Sequence, residues 1–163
     1  MFDPNHSDFH QIRDVPLFVG VSLTFGEVDD VLLACHGHLP LRDHEWVQLV
    51  KRICTSERRM IVSTLGAEPD IAQRHQLAVQ LAAIGHSLPR IAVLTASSPM
   101  RWAHIARSLV ASLGARAFAF DEVDAAARFL GCHASPERLH LARNRAQYLL
   151  EKRAGHQQFS WAR

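Results

Sequence analysis

The stretch from Pro89 to Gly131 constrains the fold more than any other part of the chain, because it spells strand, helix, strand, helix with punctuation at each joint. Arg90 to Thr95 is a short β-forming run. Ser98 is placed to cap a helix and Pro99 suits its first position, where a missing N–H costs nothing. Trp102, Ile105, Leu109 and Leu113 recur at three- and four-residue steps and make one apolar stripe. Gly114 is placed to end that helix in the left-handed conformation. Arg116 to Phe120 is the next strand. Asp121 then reads as a cap, with Val123, Ala126, Ala127 and Leu130 as an inner face and Gly131 as a stop.

The rest of the chain extends this grammar. Residues 1 to 14 are polar and are expected to form a loose arm. Val15 to Phe25 reads as a strand, Gly26 to Asp30 as a turn, and Val31 to His36 as the antiparallel partner in a hairpin. Asp43 is expected to cap a helix with Trp46, Val47, Leu49, Val50 and Ile53 inside. Arg58 to Ser63 is the third strand, and a loop from Thr64 to Asp70 leads into a helix from about Ile71 to Ala83. Leu77, Ala78, Leu81 and Ile84 are its expected inner face, with Gly85 at its end. Ser135-Pro136 opens a last helix over 135–153, with Leu139, Ala142, Ala146, Leu149 and Leu150 inside. Its basic residues, Arg138, Arg143, Arg145, Lys152 and Arg153, read as a solvated face. It is expected to pack on the sheet, a dimer contact being the alternative. Residues 154–163 are expected to be a frayed tail carrying Phe159 and Trp161. Strands alternating with helices require crossovers, so the expectation is one α/β domain over 15–153: a mixed, mostly parallel sheet opened by a β-hairpin.

Composition narrows the function classes. A chain of 163 residues with 48% hydrophobic and 21% charged residues suits one soluble domain. Its formal charge of +2, with scattered arginines, does not suggest a nucleic-acid partner. No apolar run approaches the ~20 residues that cross a bilayer, so no membrane insertion is expected. Met1 to Phe9 lacks a basic region followed by an apolar one, so no secretory signal is expected. Cys35, Cys54 and Cys132 make an odd count without a CxxC pair, which fits reduced thiols in a cytoplasm.

The order of elements and the text from Ala115 to Gly131 (ARAFAFDEVDAAARFLG) resemble STAS-like domains of the anti-sigma-factor-antagonist type. The likeness is closest to the divergent bacterial SpoIIAA-like subset and covers about Leu17 to Gly131. Such domains commonly carry an Asp-Ser pair after the third strand, with the serine phosphorylated by a partner kinase. Asp70 stands where that aspartate stands, but Ile71 replaces the serine, so the phosphorylation switch is not carried over. Ser63 and Thr64 lie at the same strand end. The resemblance implies a non-enzymatic regulatory or scaffold module that binds a protein partner through the Thr64–Asp70 loop and the helix after it.

The residues themselves point to the same rim, since open α/β sheets bind ligands beyond the carboxyl ends of their strands. Ser63, Thr64 and Asp70 in one loop, and Ser97, Ser98 and Arg101 in the next, are the candidate partner-binding residues, and Asp70 and Ser98 fit equally as plain helix caps worth about 1 kcal/mol each. Replacing Asp70 or Arg101 by alanine is expected to weaken a complex with little loss of thermal stability. The helix starts near Asp70 and Ser98 also suggest an alternative, a small-ligand or lipid-head-group site, because free N–H groups receive phosphate or carboxylate. A hydrolase or transferase using Asp70 or a histidine as base is a third reading, without a nucleophile motif to support it. Cys35, His36, His38, Cys132 and His133 lack zinc-ligand spacing, so neither a metal nor another cofactor is expected.

Overall fold

A computed structural model describes residues 15–56, 59–85, 90–96 and 114–160. They form a six-stranded sheet in sequential order, β1 (Leu17–Val19), β2 (Leu23–Val28), β3 (Val31–His36), β4 (Arg59–Thr64), β5 (Ile91–Thr95) and β6 (Ala115–Ala119). The first three strands are antiparallel and β3 to β6 are parallel. The helices are α1 (Asp43–Thr55), α2 (Ile71–Ile84), α3 (Val123–Leu130) and α4 (Pro136–Ser160). The expected class, a mixed sheet opened by a hairpin with helices packed on it, is the observed one.

Sequential strand order with right-handed crossovers places α1 and α2 on the same face. There Trp46, Leu49, Ile53, Leu77 and Leu81 pack on Leu23, Leu32, Met60 and Val93. After β6 the chain returns across the opposite face, where Val123, Leu130, Leu139 and Ala146 cover Leu33, Cys35, Ile61 and Leu94. Every residue of β3 is therefore buried, as a central strand covered on both faces requires.

The opening of the sheet differs from expectation. The expected strand from Val15 to Phe25 is two strands, turning at Gly20–Ser22 with the Gly20 N–H donating to Leu23 O at 2.9 Å. Gly26 lies inside β2 opposite Leu17, where a Cβ would come within 2.6 Å of Leu17 Cδ2 and Pro16 O. The glycine serves close approach of strands, not a turn. The β2–β3 turn is Asp29-Asp30, with Asp29 at φ 52°.

A buried carboxylate holds the new turn. Glu45, 2% exposed in the first turns of α1, accepts from Val21 N (2.7 Å), Ser22 N (2.9 Å) and Ser22 Oγ (2.6 Å). Ser22 Oγ in turn accepts from Arg42 N at 2.9 Å. The helix N-cap is Arg42, without a side-chain cap, so Asp43 is not the cap expected of it. At the other end of β3, Asp30 accepts from the backbone of His133 (2.9 Å) and Ala134 (3.1 Å) and pairs with Arg59 at 3.4 Å. That carboxylate ties the α3–α4 connection to the hairpin.

The later helices follow the expected faces with local departures. Val123, Ala126, Ala127 and Leu130 are all buried, and Gly85 and Gly131 end their helices with left-handed φ of 62° and 60°. Glu122, not Asp121, is the N-cap of α3; its carboxylate accepts from Ala119 N at 2.8 Å. Ser135 Oγ accepts from Arg138 N at 3.2 Å, as a cap before Pro136 should. The arginines of α4 do not form a solvated face. Arg143 is 8% exposed, donates to Phe120 O and lies 4.7 Å from that residue's ring centre. Arg138 pairs with Asp29 at 3.1 Å and Arg145 donates to Val15 O at 3.3 Å, leaving Lys152 and Arg153 exposed. The helix also continues to Ser160, through most of the expected tail. The arm at 1–14 and Trp161 lie outside the described residues.

Burial pushes the Glu45 carboxyl up, but hydrogen bonds from the Ser22 side chain and the Val21 and Ser22 amides outweigh it and hold it below its ordinary value. Asp30 is lowered in the same way: burial raises it, and the backbone N–H groups of His133 and Ala134 overcome that. A depressed carboxyl contributes stability that is present above its unfolded-state value and lost as pH falls through the folded-state value. Urea unfolding should therefore show stability declining below about pH 4 to 5. Glu45→Gln should cost about 2–3 kcal/mol near neutral pH, with the gap to wild type narrowing in acid. A gap that is constant with pH contradicts this account of Glu45.

Candidate functional site at the carboxyl rim

The parallel register aligns the strand ends. His36 is opposite Thr64, Thr64 opposite Thr95, and Thr95 opposite Ala119, so β3, β4, β5 and β6 end side by side at one rim. Ser97, Ser98 and Arg101, with the expected helix that follows them, lie outside the described residues.

The loop after β4 is built from its own backbone. Leu65 N donates to His36 O at 3.1 Å and Ala67 N to Gly37 O at 3.0 Å, extending the strand pairing past the sheet. Thr64 Oγ1 accepts from Gly66 N (3.0 Å) and donates to Ala67 O (2.9 Å). Thr64 is 0% exposed, and so is Ser63, which points to the opposite face in register with Cys35. Neither hydroxyl reaches the surface, so these two expected contact residues are structural. Strand alternation guarantees that one of two adjacent residues enters each core.

Asp70 is exposed and caps α2. Its Oδ1 accepts from Gln73 N at 2.8 Å while Gln73 Oε1 accepts from Asp70 N at 3.1 Å, a reciprocal capping box. Its negative charge already occupies the N-terminus of α2, where an anionic ligand would meet repulsion. Ser63 and Thr64 being buried, neither offers Asp70 a solvent-facing nucleophile.

Gln73 has a larger role than its place on a helix suggests. It is 4% exposed, and its Nε2 donates to Leu41 O and to Asp43 Oδ1, both at 2.9 Å. Trp46 Nε1 donates to Gln73 O at 3.0 Å. These bonds fix the start of α1 against the start of α2. Sequence reading missed them because a glutamine three residues after an aspartate signals a cap, and says nothing of a second helix.

The rest of α2 is unusually apolar on its outward side. Only Gln73, Leu77 and Leu81 are buried. Ile71 is 78% exposed and Val79 49%, with Ala72, Ala78, Ala82 and Ala83 exposed around them. Ala78 and Ile84, expected inside, are outside. Helices in a soluble domain ordinarily turn charged or polar residues outward, yet here the exposed face carries His75 as its one titratable side chain among the described residues.

A second feature of the rim is a cleft of about 240 Å³ between Leu39, Leu65 and the far part of α4 at Leu150 and Ala154. Gly37 and Val21 complete the lining beside Leu150. His38 and Glu151 stand at its edges. Beside it, burial pulls His36 down to about 4, so the imidazole is neutral, with a backbone hydrogen bond to Ala67 opposing the shift. Burial pushes the Cys35 thiol up to about 12 against the pull of Arg143, which leaves it a packing residue and not a nucleophile. His133 belongs to the other end of β3, beside Asp30, and among the described residues no three His, Cys, Asp or Glu side chains converge as a metal site.

No family model matches this chain, and no curated protein or solved structure does either.

The capping box changes what an alanine at Asp70 does. Asp70→Ala should lower thermal stability by about 1 kcal/mol, as the capping role expected of Asp70 requires and more than a purely partner-binding role would. Asp70→Asn, which keeps a capping oxygen, should stay within about 0.5 kcal/mol of wild type. Equal unfolding midpoints for Asp70→Ala and wild type would remove the cap from the account.

Proposed function

We propose that this protein is a non-enzymatic interaction module of STAS-like type, acting in regulation or as a scaffold in the cytoplasm. It docks a protein partner through the Thr64–Asp70 loop and α2. The single observation that carries this reading is the outward face of α2, where Ile71 and Val79 stand in solvent among alanines beside a rigid, hydrogen-bonded loop. Exposing that much apolar side chain costs free energy in water, and a partner that covers it recovers that energy. Asp70 and Glu68 supply polar contacts at the edge of the same surface. Three free thiols support a reducing compartment. Among the described residues no helix is long and apolar enough to cross a membrane.

A second reading, a small-ligand or lipid-head-group site, draws support from the cleft under α4 rather than from the α2 N-terminus, which Asp70 fills.

The test uses full-length bait protein and affinity capture from its native cytoplasm, read by quantitative mass spectrometry. Ile71→Asp and Val79→Asp should each reduce the specifically captured partner at least about tenfold. Both should shift the melting temperature by no more than about 2 °C, since neither side chain is buried. Tyr148→Asp, at a 61% exposed position on α4, serves as the control and should capture as wild type does. Capture unchanged in both α2 variants refutes the assigned surface.

A further inference from the structure

Next to the outward face of α2 lies a groove of about 370 Å³ between α1 and α2. Its floor is Val50 and Cys54, and its walls carry Val47, Lys51, Gln76 and Gln80. Resting on the interaction reading above, we propose that this groove receives an amphipathic α-helix of a protein partner, with acidic residues along the side that meets Lys51.

Three observations carry the inference. The first is shape. Val47, Lys51 and Thr55 on one wall, and Gln76 and Gln80 on the other, recur at four-residue steps. Those are the ridges into whose intervening groove a third helix packs. The helix-in-groove mode of recognition places i, i+3 and i+4 anchors on such a floor.

The second is charge. Among the described residues lining the groove, Lys51 carries the single formal charge, and it is exposed. An acidic flank complements this wall. A second copy docking symmetrically through the same groove would set Lys51 near its own counterpart, a like-charge contact.

The third is preorganisation. The groove is no accident of loosely packed helices, because Gln73 and Trp46 bond α1 to α2 at the helix starts. A groove with fixed walls loses little conformational freedom on binding. Gln76 and Gln80 keep amide donors and acceptors at its lip, where the polar side of an incoming helix would find partners.

The experiment places a photo-crosslinking phenylalanine derivative at Gln76, at Val79 or at Lys152 in the full-length chain, and maps the adducts by mass spectrometry after irradiation in the native cells. The proposal expects an adduct from Gln76 that maps to a stretch of another protein with apolar residues at three- and four-residue steps and Asp or Glu on one side. Lys51→Glu should reduce that adduct about tenfold, with the melting temperature unchanged because Lys51 is exposed. Lys152 should give no such adduct. An adduct from Val79 alone overturns the groove while the α2 docking surface stands. An adduct to this chain itself, to a stretch without acidic residues, or one indifferent to Lys51→Glu overturns the groove as well. No adduct from either Gln76 or Val79 overturns both.

Discussion

Gln73 decides how the helical layer on the first face is arranged. A side chain that is 4% exposed satisfies its amide by bonding Leu41 O, Asp43 Oδ1 and Asp70 N, while its backbone carbonyl takes the Trp46 indole N–H. A buried amide left without partners costs roughly 1–3 kcal/mol, so the four groups hold each other in one geometry. With α1 and α2 locked together at their starts, Leu77 and Leu81 are the residues of α2 that reach the sheet. Ile71, Ala72, Ala78, Val79 and Ala82 are left facing outward, which gives α2 its exposed apolar side.

The two faces of the sheet are closed by different means. On the α3–α4 face the connections are ionic or charge-assisted: Asp30 with the His133–Ala134 backbone, Asp29 with Arg138, and Arg143 over Phe120. These bonds tie α4 and the α3–α4 connection to the sheet, with Tyr148 left 61% exposed on the outer side of α4. On the α1–α2 face, Glu45 and Gln73 use polar groups at the carboxyl rim, and the apolar surplus of α2 stays in water. One face is thus held by aspartate and arginine contacts, while the other leaves alanine, valine and isoleucine of α2 in water.

Much of the architecture was legible because its signals are local. The α3 face, the left-handed glycines at Gly85 and Gly131, and the Ser135-Pro136 start each depend on residues within a turn or two of each other. What was misread depends on distant partners. Gly26 looks like a turn glycine until β1 is laid against it, and Gly20 looks like a strand residue until Glu45 reaches over it. Arg143 reads as solvated until Phe120 comes beneath it. On α2, Leu77 and Leu81 lie inside as expected, whereas Ala78 and Ile84 do not, because apolar residues also stand on the outward side and blur the periodic contrast. Of the candidate contact residues, Asp70 reaches the surface, whereas Ser63 and Thr64 are absorbed by the two cores.

The surface proposed for a partner is α2 with its leading loop. Hydrogen exchange measured by mass spectrometry on the free chain and on its natural complex tests that directly. The prediction is slowed exchange confined to residues 64–84 and the adjoining part of α1, with α4 and the β2–β3 turn unchanged. Protection centred on α4 or on β6, with residues 64–84 exchanging as in the free chain, would contradict it.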